Sequence, residues 1–323
     1  MKEHTNRCVL IMPYFGRLPS CLGTYLASLR GKNFDVLWIS DLPVREHPDN
    51  FKIVHMTFDE CKARIEDRLG VHVCVNGGRR LCDFKPMYGQ IFEDLIREYG
   101  YWGFGDCDLV YGEALNDFLQ KTIETGLYDV VSMQAEYLSG PTCFLRNNER
   151  MRMLYRKARD WERVCAWNGS RILNFDECGG MFFSQLKAGT MTMEDCSRIH
   201  DSFAAVIWRE PNLNFYHENV IDECNLRNGE VIEMQGGGLS RDGIPLVAYH
   251  FVLAKESRWF FVSRIPYGHV RDYRIVASGF YHGEWAWRTR FVRGIFRRLF
   301  AIVEAVRANG FSHLVNRFRK DRA

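Results

Sequence analysis

A chain of 323 residues with 46% hydrophobic side chains is long enough to bury a full core and short enough to be one large α/β domain with an appendage. It contains no run of eighteen apolar residues, which excludes a simple membrane-spanning helix. The formal net charge of +3 hides an asymmetry, because residues 284–323 carry ten Lys and Arg against three acids and leave residues 1–283 mildly acidic. Eleven cysteines form no C-x-x-C pair, and the first residues, Met1-Lys2-Glu3-His4, lack a signal-peptide pattern. Together these point to reduced thiols in a cytoplasmic protein and disfavour zinc held by cysteine.

Cys8-Val9-Leu10-Ile11-Met12, closed by Pro13, is a continuous apolar run of the kind found in strands buried on both faces of a parallel sheet. Leu22, Tyr25, Leu26 and Leu29 follow at helical spacing, and residues 35–41 form a second buried strand ending in Asp41. A third strand is expected over residues 52–56, then a helix through Leu69. Pro86 opens a further predicted helix with Tyr88, Phe92 and Ile96 on one face. The aromatic, glycine-spaced strand from Tyr101 ends in Asp106-Cys107-Asp108. In extended backbone, residues two apart point to the same side, so Asp106 and Asp108 are placed to share one hard divalent cation while Cys107 faces the interior.

Beyond the apolar pair Val130-Val131, the small residues Ser139 and Gly140 permit close approach of a ligand. The adjacent acids Asp176 and Glu177 precede two glycines and are candidates either for the base of an inverting transfer or for a group facing the donor sugar in a retaining one. Neither G-x-G-x-x-G after the first strand nor a G-x-x-x-x-G-K-[ST] loop occurs, which disfavours dinucleotide-dependent dehydrogenases and P-loop NTPases. With no internal repeat or low-complexity linker, residues 1–265 are predicted as one domain and 266–323 as a basic helical tail. Within the tail, Phe291, Val292, Ile295, Phe296, Leu299, Phe300, Ile302, Val303 and Val306 recur every three to four residues between arginines. That pattern over 285–307 suits either an amphipathic helix on an anionic membrane or a terminal helix packed on the domain, and no nucleic-acid motif accompanies the charge.

With these pieces in order, the chain resembles metal-dependent glycosyltransferases of the GT-A type, α/β proteins with a Rossmann-like mixed sheet flanked by helices. The likeness covers residues 7–260 and is nearest to uncharacterised proteins of bacterial capsule and lipopolysaccharide clusters that share the phrases PYFG, LCDFKP and WGFGDCDLVYG. The resemblance implies nucleoside contacts from Pro13, Tyr14, Phe15 and Asp41, phosphate contacts from Asp83, Lys85 and Lys255, and a metal shell of Asp106, Asp108 and His250. Its late motif departs from the glycogenin-type H-x-x-G-x-x-K-P-W, since His250 and Lys255 stand one residue closer and without the glycine. The implied cofactor is Mn²⁺ or Mg²⁺, the donor a UDP-sugar, and the acceptor a glycan or lipid-linked glycan of bacterial surface polysaccharide. A nucleotidyltransferase, or a catalytically silent scaffold of a polysaccharide assembly complex, is the alternative.

Overall fold

A computed structural model describes residues 6–292 except 170, 179–181, 228, 256–259 and 263, together with 295, 299 and 303. Its main sheet is built first from local apolar runs. Strand β1 (Cys8–Pro13) lies between β2 (Phe34–Ser40) and β4 (Tyr101–Gly105), with β3 (Phe51–His55) outside β2, all parallel. Beyond β5 (Leu109–Tyr111), the chain returns through β6 (Val130–Ser132) and β7 (Thr142–Arg146), and β7 pairs antiparallel with β4. Addition of β8 (Phe215–His217) gives a seven-stranded mixed sheet of order β3-β2-β1-β4-β7-β6-β8.

Because side chains alternate along a strand, β1 feeds two cores. Val9 and Ile11 join Leu37, Phe84, Trp102 and Phe104 on one face, while Leu10 and Met12 join Tyr25, Trp38 and Phe144 on the other. Helix α1 (Leu22–Ser28) covers the second face through Tyr25 and Leu26, and α2 (Phe58–Leu69) covers the first through Cys61 and Ile65. This is the predicted α/β class, a Rossmann-like mixed sheet flanked by helices.

The helix expected from Pro86 is instead a 3₁₀ stretch, Gly78–Met87, running into a single α-turn, Tyr88–Ile91. Tyr88, Phe92 and Ile96 are nevertheless all buried. Packing is the cause of the irregularity: a Cβ at Gly89 would lie 2.4 Å from the Trp102 ring, so the segment presses its backbone onto β4.

Two smaller sheets complete the molecule. In one, β13 (Ala248–His250) lies between β5, antiparallel, and β9 (Ile221–Asp222), parallel. The other has the order β12-β11-β10-β14-β15, with β10 (Ile232–Gln235), β11 (Gly238–Arg241), β12 (Ile244–Pro245), β14 (Tyr273–Val276) and β15 (Gly279–His282). Residues 273–282 therefore share a sheet and an apolar cluster with residues 232–245, although the sequence placed everything after 265 in a helical tail. A short helix, Gly283–Arg288, follows β15. The remainder of the 285–307 helix expectation lies mostly outside the described residues. Among the described residues no helix is long and apolar enough to cross a membrane.

Candidate metal and nucleotide site

The carboxyl ends of β1 and β4 open onto one cleft of about 650 Å³, where ligands of open α/β sheets bind. Beyond Pro13 the backbone keeps its alignment, Tyr14 N–H donating to Ile39 O at 2.9 Å. The Tyr14 ring stacks on Trp38 at 4.8 Å and 19°. Pro13, Tyr14 and Phe15 all line the cleft, as do Lys85, Asp106, Asp108, His250 and Lys255. Asp41, exposed after β2, is not among the lining residues.

The two aspartates are held differently. Asp106 N–H donates to Pro141 O at 3.0 Å, which fixes the end of β4, and its carboxylate meets the buried Lys85 ammonium at 2.9 Å. Asp108 is buried against Lys255, which donates to it, and lies 3.5 Å from His250 Nε2. One ligand atom from each of Asp106, Asp108 and His250 falls within 4.8 Å of the others. His250 Nε2 is buried and makes no hydrogen bond. A buried polar atom without a partner is costly, and one aimed at two carboxylates is placed for a cation.

Burial works to raise the Asp108 carboxyl and to lower the His250 imidazole, but their mutual proximity reverses both. With Lys255 and His250 beside it, Asp108 is held well below the ordinary carboxylate range. His250, between Asp108 and Glu223, is pushed up to about 9. A group of two carboxylates and one imidazole suits Mn²⁺ or Mg²⁺ chemically, and a metal arriving at Nε2 displaces a proton.

The predicted sugar-side residues cluster around Lys85. Its ammonium donates to Gly140 O at 2.9 Å and lies 3.5 Å from Asp176. Glu177 accepts from Gly140 N–H at 3.1 Å, and a Cβ at Gly140 would lie 2.5 Å from that carboxylate, so a larger residue there would push Glu177 aside. Burial raises Asp176, and burial together with the Asp176 charge raises Glu177 well above its usual range. Lys85 opposes burial through Asp106 and Asp176 and stays charged. Ser139 is fully buried and its N–H donates to Ser132 Oγ at 3.0 Å, which makes it a support of this loop.

Asp83, expected at the phosphates, sits elsewhere. It is fully buried, pairs with Arg80, and accepts from the backbone N–H of Leu173 at 2.9 Å and of Phe175 at 3.4 Å. Its carboxylate thus fastens the segment that delivers Asp176. Sequence reasoning missed Glu223, whose Oε1 lies 2.8 Å from His250 Nδ1. The available signal was the acid pair Asp222-Glu223 directly after the apolar Val220-Ile221.

No curated protein matches the sequence. Among solved structures, the crystal structure of mouse xyloside xylosyltransferase 1 in its apo form is similar at 10% identity and a TM-score of 0.40, spanning 76% of this chain and 98% of that one. A family profile matches residues 10–237, and the chain belongs to that family of unknown function, DUF6625.

Proposed function

We propose that this protein is a metal-dependent glycosyltransferase that moves a sugar from a nucleoside-diphosphate sugar, a UDP-sugar in the first instance, to a glycan or lipid-linked acceptor. The observation that carries the reading is the Asp106, Asp108 and His250 group, with its unpartnered Nε2, in a cleft that also presents two ammonium groups. A Mn²⁺ or Mg²⁺ held there supplies charge neutralisation to the diphosphate leaving group. Lys255 lies beside Asp108, placed to meet the same diphosphate, while Tyr14, backed by the fully buried Trp38, gives an aromatic face for the nucleoside. Lys85 lines the cleft on the sugar side, and Asp176 and Glu177, which are not among the lining residues, stand behind it with raised carboxyls that can donate as well as accept hydrogen bonds.

Bacterial surface polysaccharide is the product class this reading favours. The basic C-terminal segment would then rest on the cytoplasmic face of an anionic membrane, close to a lipid-linked acceptor. Phe291, Ile295, Leu299 and Val303 are each at least 45% exposed and recur every four residues among arginines, which supports a surface-binding helix. A thermal-shift screen of nucleoside diphosphates and nucleotide-sugars tests the function. At a hundred times its Kd, a bound ligand adds about 2.7 kcal/mol of stability. At least one should raise Tm with Mn²⁺ and fail to do so with EDTA, and a screen without any such ligand removes the proposal.

A further inference from the structure

We infer that Glu223 is a positioning residue, which orients His250 and fixes which ring nitrogen meets the metal; this rests on the metal reading of the cleft. The placement follows from strand register. On one side of β13, His250 pairs with Leu109 of β5, the residue after Asp108. On the other, β9 runs parallel with Ala248 opposite Ile221 and Tyr249 opposite Asp222, so the next residue, Glu223, arrives beside His250. The imidazole is thereby set between two carboxylates that are 115 residues apart in the chain.

The contacts on its two nitrogens differ. Nδ1 meets Glu223 Oε1 at 2.8 Å, whereas Nε2 lies 3.5 Å from Asp108 without a hydrogen bond. In a neutral imidazole only one nitrogen carries a proton, and the Glu223 bond draws it to Nδ1. Once a metal has displaced the Nε2 proton, the Nε2 lone pair is the one left facing Asp106 and Asp108. Glu223 does not swing freely: its Oε2 accepts from Tyr137 Oη–H at 3.0 Å and from Lys187 Nζ at 2.7 Å. Tyr137 in turn packs on Phe183, one helical turn from Lys187, at 4.9 Å between ring centres. If Glu223 served only to neutralise Lys187, no contact with His250 would be needed.

The test is calorimetric titration of the full chain with Mn²⁺, comparing wild type with Glu223→Ala, Glu223→Gln, Lys187→Met and Asp108→Ala, each checked for folding by circular dichroism. Removing a carboxylate behind a ligating histidine weakens metal affinity by about 10–100-fold, the loss expected for Glu223→Ala. Glu223→Gln retains an acceptor in the same place and should recover part of that loss, a rescue that a merely structural residue would not show. Lys187→Met, a change on a half-exposed side chain, should weaken affinity less and in the same direction. Wild-type affinity in Glu223→Ala alongside lost affinity in Asp108→Ala overturns this inference and leaves the metal site standing. Unchanged affinity in Asp108→Ala overturns the metal reading itself. Should Glu223→Ala not fold, unchanged affinity in both Glu223→Gln and Lys187→Met overturns the inference.

Discussion

Arg80 with Asp83, and Lys85 with Asp106 and Asp176, are two buried ion clusters that start from one ten-residue 3₁₀ stretch. The first is closed. Arg80 also donates to Val164 O at 3.0 Å, and Asp83 is covered by backbone N–H groups, so every strong contact is internal. The second opens on a cleft, where the Asp106 side chain is still 30% exposed and the neighbouring Nε2 of His250, 3.5 Å from Asp108, makes no hydrogen bond. Burial of charge is common to both and therefore does not mark function. What separates them is access to a cavity: Arg80 also carries buried nitrogens without a hydrogen bond, but only the second cluster lines a cleft that a bound cation and diphosphate would fill.

The sharpest way to break this comparison is to remove one member from each cluster. Lys85→Ala should lower sugar transfer or donor hydrolysis by about 10²–10³-fold, the usual loss when a buried donor to developing charge is deleted. Steady-state rates at saturating donor check it, and a rate within a factor of three of wild type would place Lys85 with the structural charges. Asp83→Ala should instead cost about 3–5 kcal/mol of stability by leaving the Arg80 charge buried and alone. Urea unfolding measures that cost, and the Mn²⁺ affinity of the folded fraction should stay unchanged.

Two histidines, one buried and one partly buried, extend the contrast. His250 lies between carboxylates, whereas His282 sits against the rings of Tyr273 and Phe280 with both ring nitrogens unpartnered. Burial depresses His282 to about 4. A folded-state value below the unfolded one of about 6.5 means that the neutral ring's stability is present above pH 6.5 and is lost as pH falls toward 4. His282→Phe should flatten the decline in Tm between those values, and an unchanged slope would show that other groups set it.

The smallest effect concerns the basic C-terminal segment. Each arginine near an anionic leaflet contributes about 1 kcal/mol, so association should be reversible and salt-sensitive. The full chain should float with phosphatidylserine-containing vesicles at low salt and sink at high salt. If it sinks in both, the segment does not act on membranes.

The parts of the fold read from sequence were those written locally. Apolar runs marked β1 and β2 within a residue at each end. Asp106 and Asp108 do come together, but through a bend at Cys107-Asp108 between β4 and β5 rather than through the alternation of an extended chain, and Cys107 lines the cleft instead of facing the interior. His250 and Lys255 came from a resemblance, and the structure brings both to Asp108. Glu223 stayed hidden because its place depends on the register of β5, β13 and β9, whose members are two or three residues long and scattered along the chain. Asp83 looked like a phosphate contact because its partners, Leu173 and Phe175, lie some 90 residues downstream. The small sheet over residues 232–282 was missed for a related reason, as strands of two to four residues carry too few alternations to show a period.

The central claim is that Asp106, Asp108 and His250 hold a cation through which the cleft takes a nucleoside diphosphate. Titrating UDP into wild type and Asp108→Asn, each with Mn²⁺ and with EDTA, tests it most directly. Binding confined to wild type with Mn²⁺ is the predicted result. Equal UDP affinity in all four titrations would contradict the account.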